Sequence, residues 1–355
     1  GSIGSELVRQ ILRQGPTRLV LFELSEVALY EIDREAKESI KSLPEESPRP
    51  QIVAMLGSVL DESLVRKAIR THEVATIYHA AAYKHVPIVE QNPIAGLTNN
   101  TLGTGAVVRI ARAEEVERLV LISTDKAVRP TNVMGASKRL AELVLQAEAA
   151  DPDCRTVFTM VRFGNVLDSS GSVVRLFRNQ IQAGGPVTVT DRRVVRFFMS
   201  IPEAAGLVLQ AGAMARGGEV FLLEMGEPVK IDDLARSMIR LMGLEVKDED
   251  NPDGDIAITY VGLREGEKLY EEVLIEDSRT TRTQHPRIFC SDEPSRSKAE
   301  LERELAALRS AMAEGNLPAI QAVLLRTVEG YTSEPQSAGD APVPGAGPVT
   351  PRVTH

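Results

Sequence analysis

The chain has 355 residues and a formal net charge of −9, and no Lys/Arg-rich block offsets that charge, which argues against a nucleic-acid partner because its phosphates would be repelled. No apolar run approaches the roughly 20 residues of a membrane-spanning helix, so we predict a cytoplasmic protein, or the cytoplasmic part of one with an upstream inner-membrane anchor. The two cysteines, Cys154 and Cys290, lack metal-ligand spacing and are expected to be buried free thiols, with no metal bound.

Short apolar runs alternate with helical patterns over the first two-thirds of the chain. The runs are continuous and bounded by polar residues, as expected for strands covered on both faces. Strands spaced by helices indicate βαβ units and a doubly wound parallel sheet of the Rossmann type. The predicted strands are Arg18–Glu23, Gln51–Leu56, Ala75–His79, Arg118–Ser123 and Thr156–Phe163, and the predicted helices are Ser5–Arg13, Glu26–Lys41, Leu60–Thr71, Asn92–Ala113 and Met134–Ala149.

The pattern loosens after about residue 165, which suits a smaller α/β lobe. We predict a dinucleotide-binding domain over residues 1–165, a substrate lobe over 166–330 that also returns elements to the first domain, and a disordered tail over 333–355, which is rich in Pro, Gly and Ala. In this second part the predicted strands are Val187–Thr190, Glu219–Leu223 and Ile256–Val261, and the predicted helices are Val173–Gln182, Pro202–Ala215, Ile231–Met242, Lys298–Ala313 and Pro318–Thr327.

The chain begins Gly1-Ser2-Ile3-Gly4 and runs directly into an amphipathic helix. Glycines three apart before a helix let the backbone approach a pyrophosphate, and the helix N-terminus supplies amide donors. Because residue 1 already lies inside this motif, we expect the first strand of the sheet to be missing. Glu23 ends the next strand about 20 residues on, where a carboxylate accepts hydrogen bonds from the adenosine ribose and favours NAD over NADP. The alternative to a dinucleotide site is that the first residues only cap the helix and that Glu23 is a solvated side chain.

Small and polar residues follow the strand that ends at His79. Ala80 and Ala81 leave room for a flat cofactor against the backbone, although a tightly packed strand end explains them equally well. Lys84 lies just past the carboxyl end of the same strand, on the side where ligands bind such a sheet. A solvated surface lysine is the alternative for that position.

Three proton-handling groups, Thr124, Asp125 and Lys126, follow the next strand on the same side of the sheet. Met134 and Lys138 then open a helix and share one of its faces, because residues i and i+4 are neighbours. Taken singly, Met134 could fill the core and Lys138 could be solvated. In this order, after a dinucleotide-binding half, the five residues predict an active site.

With these residues in hand, the chain resembles the UDP-N-acetylhexosamine 4,6-dehydratases of polysaccharide biosynthesis, which are extended short-chain dehydrogenases/reductases. The wider superfamily carries Tyr-x-x-x-Lys, and here Met134 replaces that Tyr, as in the branch that retains configuration at carbon 5. Ser58 stands where many relatives have an Asp near the adenine. The resemblance covers residues 1 to about 289, and its most specific strings are HAAAYKHVPIVEQNP, STDKAVRPTNVMGASKR, VRFGNVLDSSGSVV, RFFMSIPEA and LREGEKLYEE.

The resemblance assigns roles to matching residues. Arg196 and Arg264 would hold the diphosphate, Glu267 the uridine ribose, and Val187 would pack near the uracil. The implied cofactor-binding residues are Gly1, Ser2, Ile3, Gly4, Glu23, Ser58, Val59, Ala80, Ala81, Asn100 and Lys138; the implied substrate-binding residues are Lys84, Asn165, Ser170, Gly171, Ser172, Val173, Val174, Val187, Arg196, Arg264 and Glu267.

The implied chemistry is an internal redox reaction on a UDP-linked N-acetylglucosamine. Hydride passes from carbon 4 to NAD and returns to carbon 6, and water is lost from carbons 5 and 6 in between. Lys126 is the expected base at carbon 5, with a pKa lowered by Lys84, Lys138 and the nicotinamide charge. Asp125 is the expected donor to the departing 6-hydroxyl. Without the usual Tyr, the 4-hydroxyl proton has three possible routes: Thr124, Asp125 or an ordered water.

Two other functions are compatible with the same fold. A UDP-sugar 4-epimerase also oxidises carbon 4, but it needs no base at carbon 5, so Lys126 beside Asp125 counts against it. A non-catalytic NAD-binding module is the other, with Met134 marking lost catalysis. The fold also leads us to expect a homo-oligomer.

Overall fold

The computed structural model describes residues 1–44, 46, 49–169, 171–264, 266–271 and 279–332. The predicted disordered tail and Ser170 lie outside this set. The strands are β1 (Arg18–Glu23), β2 (Gln51–Leu56), β3 (Thr76–His79), β4 (Arg118–Ile122), β5 (Val157–Arg162), β6 (Asn165–Val166), β7 (Val187–Val189), β8 (Val195–Arg196), β9 (Phe198–Met199), β10 (Val220–Leu223), β11 (Val229–Lys230), β12 (Val246–Lys247), β13 (Ile256–Tyr260), β14 (Arg279–Arg282) and β15 (Ile288–Asp292).

The helices surround these strands. They are α1 (Ser2–Arg13), α2 (Glu26–Lys41), α3 (Glu62–His72), α4 (Val86–Gln91), α5 (Pro93–Leu97), α6 (Thr104–Ala113), α7 (Val133–Ala149), α8 (Val173–Gln182), α9 (Ile201–Met214), α10 (Ile231–Leu241), α11 (Lys298–Ala313) and α12 (Leu317–Thr327). Within the described ranges, no helix is both long and apolar enough to cross a bilayer.

The largest sheet has the strand order β14-β15-β10-β5-β4-β3, and β1 pairs with β2 in a second, parallel sheet. Strands β3, β4, β5 and β10 run parallel, whereas β15 and β14 are antiparallel additions at one edge. The predicted parallel α/β architecture is confirmed. The β14–β15 hairpin was missed, because its first strand reads Arg-Thr-Thr-Arg and carries no apolar run.

Helices cover both faces of the largest sheet, as a doubly wound fold requires. Successive side chains of β4 point to opposite faces: Leu119 and Leu121 pack in the cluster that includes α6, α7, α11 and α12, whereas Val120 packs with α1 and α9. All three side chains are at most 1% exposed. Burial on both faces explains why β4 is a continuous apolar run in the sequence.

Several predicted elements required correction. Helix α1 begins at Ser2, so Ser2, Ile3 and Gly4 form its first turn instead of a loop, and Gly1 is its N-cap. The single helix predicted over Asn92–Ala113 is α5 and α6 joined by a π-helical turn, Thr98–Gly103. Strands β1 and β2 and helices α2, α8 and α11 have the predicted bounds, and the remaining predicted elements shift by only a few residues at their ends.

A smaller lobe is built on the three-stranded sheet β12-β13-β7, against which α8 and α10 pack. Its core contains Phe177, Val187, Ala235 and Ile239, none of which is measurably exposed. Short strand pairs, β6–β9 and β8–β11, connect this lobe with the end of β5. The lobe thereby reaches the carboxyl edge of the largest sheet, where β4 ends.

Candidate active site

The segment after β4 is held against β5 beyond the end of the regular strand. The backbone amide of Ser123 donates to Val161 O (2.8 Å) and that of Asp125 donates to Phe163 O (3.1 Å). A 3-10 turn over Asp125–Ala127 follows. The Thr124 hydroxyl accepts from the Lys126 amide (3.3 Å) and donates to Asp125 Oδ1 (2.8 Å). Thr124, Asp125 and Lys126 are thus fixed at the sheet edge, as the sequence predicted.

A buried ion network surrounds the ammonium of Lys126. Its Nζ lies 3.1 Å from Asp125 Oδ1 and 2.7 Å from Glu271 Oε1, and it donates to Asn165 Oδ1 at 3.4 Å. Glu271 Oε2 in turn accepts from Asn165 Nδ2 at 3.0 Å, and Glu271 Oε1 lies 3.2 Å from Arg196 Nε. The side chains of Asp125 and Glu271 are 1% and 5% exposed. The lobe therefore contributes half of the charges at this site.

The charges of this network set its proton affinities. Burial disfavours the Lys126 cation, but the carboxylates of Asp125 and Glu271 outweigh it and hold the pKa of Lys126 above its ordinary value. Burial, followed by the neighbouring Asp125, raises the pKa of Glu271. Burial also opposes ionisation of Asp125, yet the Lys126 ammonium keeps the pKa of Asp125 low. The lowered pKa predicted for Lys126 was wrong, because that prediction did not include Glu271.

One carboxylate oxygen of this network has no hydrogen-bond partner among the described residues. It is Oδ2 of Asp125, which is buried. A buried polar atom without a partner costs free energy, so such atoms often mark functional sites. The other oxygen, Oδ1, is used by Thr124 and Lys126.

Helix α7 packs directly beneath the turn that carries Lys126. A Cβ at Gly135 would lie 2.1 Å from the carbonyl oxygen of Lys126, so only glycine permits this approach. Met134 is buried, with 3% exposure. Lys138 Nζ donates to the Ile122 carbonyl at the end of β4 (2.7 Å), and burial lowers the pKa of Lys138 to about 8. The structure therefore brings Lys126, Met134 and Lys138 to one place.

Lys84 reaches this edge from the loop after β3. Its Nζ lies 3.5 Å from Ser169 Oγ. Partial burial lowers the pKa of Lys84, and the nearby cations Arg175 and Lys126 add to the effect. The loop itself is anchored by the buried Asn100, whose side chain accepts from the Tyr83 amide (2.8 Å) and donates to the Tyr83 carbonyl (2.9 Å).

Besides Asn100 and Lys138, the residues predicted to hold a dinucleotide lie in four places. Glycines 1 and 4 have open space where a Cβ would stand, so the backbone of α1 is accessible at its first turn. Glu23 Oε1, at the end of β1, accepts from the amides of Leu24 (2.8 Å) and Ser25 (2.9 Å). The others follow β2 and β3: Ser58 and Val59 are partly buried, and Ala80 and Ala81 are exposed. These contacts remain predictions.

The predicted diphosphate and ribose residues are held together in the lobe. Arg196 Nη2 donates to Glu267 Oε1 (3.0 Å), and Glu267 Oε2 accepts from the Arg264 amide (3.2 Å). Gly266 packs this segment against the cap of α7, because a Cβ there would lie 2.8 Å from Asn132 Cβ. The Arg264 residue is exposed. The guanidinium of Arg196 thus reaches both the lobe segment and the network of Lys126.

The other predicted substrate residues lie either close to Lys84 or in the core of the lobe. Gly171 contacts the His85 ring beside Lys84, and Ser172, Val173 and Val174 begin α8. Ser172 Oγ is buried without a hydrogen-bond partner in the described part of the chain. Val187 is fully buried in the lobe's core, so its contact with a base stays a prediction.

Sequence reasoning missed Glu271 as a site residue. It lies in the string LREGEKLYEE, among several glutamates with nothing to distinguish them. Only the packing of the lobe against the β4 edge shows which glutamate meets Lys126. Within the described residues, no group of three or more His, Cys, Asp or Glu side chains could hold a metal ion.

The parallel sheet with helices on both faces is the Rossmann-like α/β fold found in solved sugar-nucleotide enzymes that bind NAD. The structure matches the dTDP-glucose 4,6-dehydratase DesIV from Streptomyces venezuelae, solved with NAD, with a TM-score of 0.64 at 20% identity over 91% of this chain and 97% of that one. It also matches Pen from Bacillus thuringiensis, with a TM-score of 0.72 at 31% identity over 84% and 86% of the two chains.

The sequence matches the family model described as "Polysaccharide biosynthesis protein" over residues 1–293. The chain belongs to this family. It is 48% identical over 77% of its length to the capsular polysaccharide biosynthesis protein CapD of Staphylococcus aureus, of which it spans 43%. It is 32% identical to a UDP-glucose 4-epimerase of Rickettsia canadensis, covering 77% of this chain and 75% of that one.

Proposed function

We propose that the chain catalyses NAD-dependent 4,6-dehydration of UDP-N-acetylglucosamine, with retention at carbon 5, for polysaccharide biosynthesis. Residues 1–165 form the cofactor-binding part and 166–330 the lobe for the sugar nucleotide. The protein acts in the cytoplasm, alone or as the cytoplasmic part of an anchored protein, and as a homo-oligomer. The observation that carries the proposal is the acid–base pair Asp125 and Lys126 at the carboxyl edge of β4.

The residues present fit NAD. The accessible first turn of α1 suits a pyrophosphate, Glu23 suits the adenosine ribose, and Lys138 suits the nicotinamide ribose. When bound, NAD would supply the hydride acceptor for carbon 4 and the donor for carbon 6. The solved neighbour that contains NAD supports this assignment through its fold.

The side chains divide the proton chemistry between them. Asp125 Oδ2 faces no protein partner among the described residues, so a protonated Asp125 is free to donate to the departing 6-hydroxyl. Lys126, as the neutral amine, removes the carbon 5 proton and later returns a proton to carbon 5. Thr124 donates to Asp125 Oδ1 at 2.8 Å, which provides a route by which the 4-hydroxyl proton reaches the carboxylate without a Tyr.

A direct test is incubation with UDP-N-acetylglucosamine followed by mass spectrometry of the nucleotide sugar. A dehydratase yields a product lighter by one water. The second candidate is a 4-epimerase, which the Rickettsia relative favours. An epimerase yields a product of unchanged mass, and that outcome would reject the dehydratase proposal.

Cofactor preference depends on the charge of Glu23. Glu23→Gln keeps an acceptor for the Leu24 and Ser25 amides but removes the negative charge that would repel a 2′-phosphate. We expect discrimination against NADP to fall about tenfold, which corresponds to roughly 1.4 kcal/mol. Dissociation constants for NAD and NADP measure the ratio. Preferential binding of NADP by the unmodified protein would contradict the assignment.

Arg264 is expected to serve binding more than chemistry. Its diphosphate contact exists in the ground state and the transition state alike, so Arg264→Ala should raise KM roughly tenfold or more and leave kcat within about twofold. Arg193→Ala is the matched control, because Arg193 is exposed in the same lobe and pairs with Asp191. A large fall in kcat at unchanged KM would show that Arg264 is misplaced.

A further inference from the structure

The proposed reaction places two demands on one buried network. Lys126 must be neutral to accept the carbon 5 proton, and Asp125 must be protonated to donate to the leaving hydroxyl. The geometry favours the opposite resting state, because Lys126 Nζ lies between the carboxyl groups of Glu271 and Asp125 at 2.7 and 3.1 Å, an arrangement that stabilises the ammonium. A proton must therefore move from the lysine to a carboxyl group before elimination.

Glu271 is the carboxylate placed to accept that proton. Its Oε1 makes the shorter of the two ion pairs with Lys126 Nζ, and its side chain is 5% exposed. Asn165 Nδ2 holds the second oxygen, Oε2, at 3.0 Å, so the carboxylate cannot turn away. Of the two acids, Glu271 has the raised pKa, caused by burial and by the charge of Asp125.

We propose that Glu271 is a positioning residue that takes the proton of Lys126, so that the amine is neutral at the moment when Asp125 carries the proton for the leaving hydroxyl. This inference rests on the proposed dehydratase function. The roles proposed for Asp125 and Lys126 do not by themselves assign a role to Glu271. The residue acts through Lys126 and Asp125 and need not touch the sugar.

The proton balance closes within the site. Oxidation at carbon 4 comes first and leaves the 4-hydroxyl proton on Asp125, by way of Thr124. Transfer along the 2.7 Å bond then leaves neutral Lys126 and protonated Glu271. Asp125 gives its proton to the 6-hydroxyl as the C6–O bond breaks and water leaves, while Lys126 takes the proton from carbon 5. After hydride reaches carbon 6, Lys126 delivers to carbon 5 one of its three ammonium protons, which exchange with solvent. The proton that leaves with water is therefore the former 4-hydroxyl proton, and Glu271 returns its own proton to Lys126 at the end of the cycle.

Glu271→Gln tests this proposal, because glutamine keeps the shape and one oxygen that accepts from Lys126 but cannot take a proton. Its NH2 group replaces the oxygen that accepts from Asn165 Nδ2, so the Asn165 amide must turn over to accept at that position. We expect kcat for UDP-N-acetylglucosamine to fall roughly 10²-fold, with KM within about threefold. Reduced nicotinamide should accumulate, because oxidation at carbon 4 precedes the blocked step. Unchanged kcat, or a rise in KM alone, would overturn the proposal.

The pH profile separates this role from a structural one. The charged groups facing Glu271 are Asp125 and Lys126 from the β4 turn and Arg196 from β8, and Lys84 interacts with Lys126. In the variant, Lys126 must lose its proton to solvent, so kcat should rise about tenfold per unit between about pH 7 and 9, below the pKa of the lysine. In the unmodified protein the proton stays inside the network, and kcat should change less than about twofold per unit.

Two further variants complete the experiment. Glu271→Asp retains a carboxylate and should keep the shallow pH profile even if kcat falls. A kcat that rises about tenfold per pH unit in this variant would overturn the proposal. This measurement does not depend on whether Glu271→Gln folds. Glu267→Gln is the matched control, since Glu267 contacts Arg196 but has no ion pair with Lys126, and it should affect KM. Absence of water loss by the unmodified protein would instead reject the dehydratase function itself.

Discussion

Replacement of Lys126 by alanine is expected to lower turnover by ~10²–10⁴-fold, the contribution of a positioned general base. Hydride removal from carbon 4 does not need this base, so the variant should still reduce bound NAD when UDP-N-acetylglucosamine is added. Elimination should become the slow step, because the amine placed to take the carbon 5 proton has been removed. Absorbance of the reduced nicotinamide and exchange of the carbon 5 hydrogen with solvent deuterium measure the two steps separately.

Two comparisons make this result specific. Lys247→Ala, at an exposed position of β12, should leave both steps unchanged. Lys84 is a second candidate, with a pKa lowered by partial burial and by Arg175 and Lys126. Near-normal turnover or undiminished deuterium exchange in Lys126→Ala would show that Lys126 is not the base at carbon 5. Lys84 would then be the next candidate for that role.

The second large effect concerns stability. Arg162 is fully buried at the end of β5, where its Nε donates to Glu142 Oε1 (2.7 Å) and its Nη2 to Glu293 Oε2 (2.8 Å). Arg139 contacts the same two carboxylates, so two cations balance two anions. Glu142 also accepts from the Ser123 hydroxyl. The network ties β5, α7 and the segment after β15 to the strand that carries the active-site turn.

Arg162→Met should lower the free energy of unfolding by about 3–5 kcal/mol, because one buried carboxylate then lacks a counter-ion. Arg155→Met is the matched control: Arg155 pairs with Glu115 at the surface, with side chains 81% and 66% exposed, and its loss should cost at most about 1 kcal/mol. Denaturant unfolding of both variants measures the difference. Equal effects would show that the buried network does not hold the fold together.

The pH dependence of this variant has a defined sign. Burial opposes ionisation of Glu142, but Arg162 and Arg139 outweigh it and hold the pKa of Glu142 at about 2, below the unfolded value of roughly 4.3. In the unmodified protein this stabilisation is complete above about pH 4.3 and is lost as the pH falls toward 2. Without Arg162 the folded pKa rises, so the deficit of the variant should shrink between about pH 7 and 5.

The position of the active-site turn was predictable because parallel strands end at a common edge. Thr124, Asp125 and Lys126 follow an apolar strand, and Lys138 lies on a helix that returns over the same edge, so sequence order alone brings these groups together. The structure confirms the sheet on which that reasoning depended. The local bonds of Thr124 then fix the turn.

The proton affinity of Lys126 was not predictable in the same way. Glu271 follows Lys126 by 145 positions in the chain, and a whole lobe folds between them. No periodicity specifies which of several glutamates in that segment reaches the network. The two carboxylates reverse the direction of the lysine's pKa shift, so the error came from a long-range contact and not from the local chemistry.

The start of α1 shows a similar limit at shorter range. Glycines at positions 1 and 4 predicted a loop, yet Gly4 lies in the first helical turn. Glycine disfavours a helix interior by about 1 kcal/mol relative to alanine, which packing of α1 against α9 readily outweighs. The amides expected to meet a phosphate are therefore those of a helix end.

The central claim is that Lys126 and Asp125 remove water from a UDP-linked sugar across carbons 5 and 6. The most direct measurement is nuclear magnetic resonance of the product formed from UDP-N-acetylglucosamine in deuterated water. The proposal predicts a 4-keto-6-deoxy sugar with the original configuration at carbon 5 and with deuterium incorporated there. Recovery of a 4-epimer that retains its 6-hydroxyl and carries no deuterium at carbon 5 would contradict it.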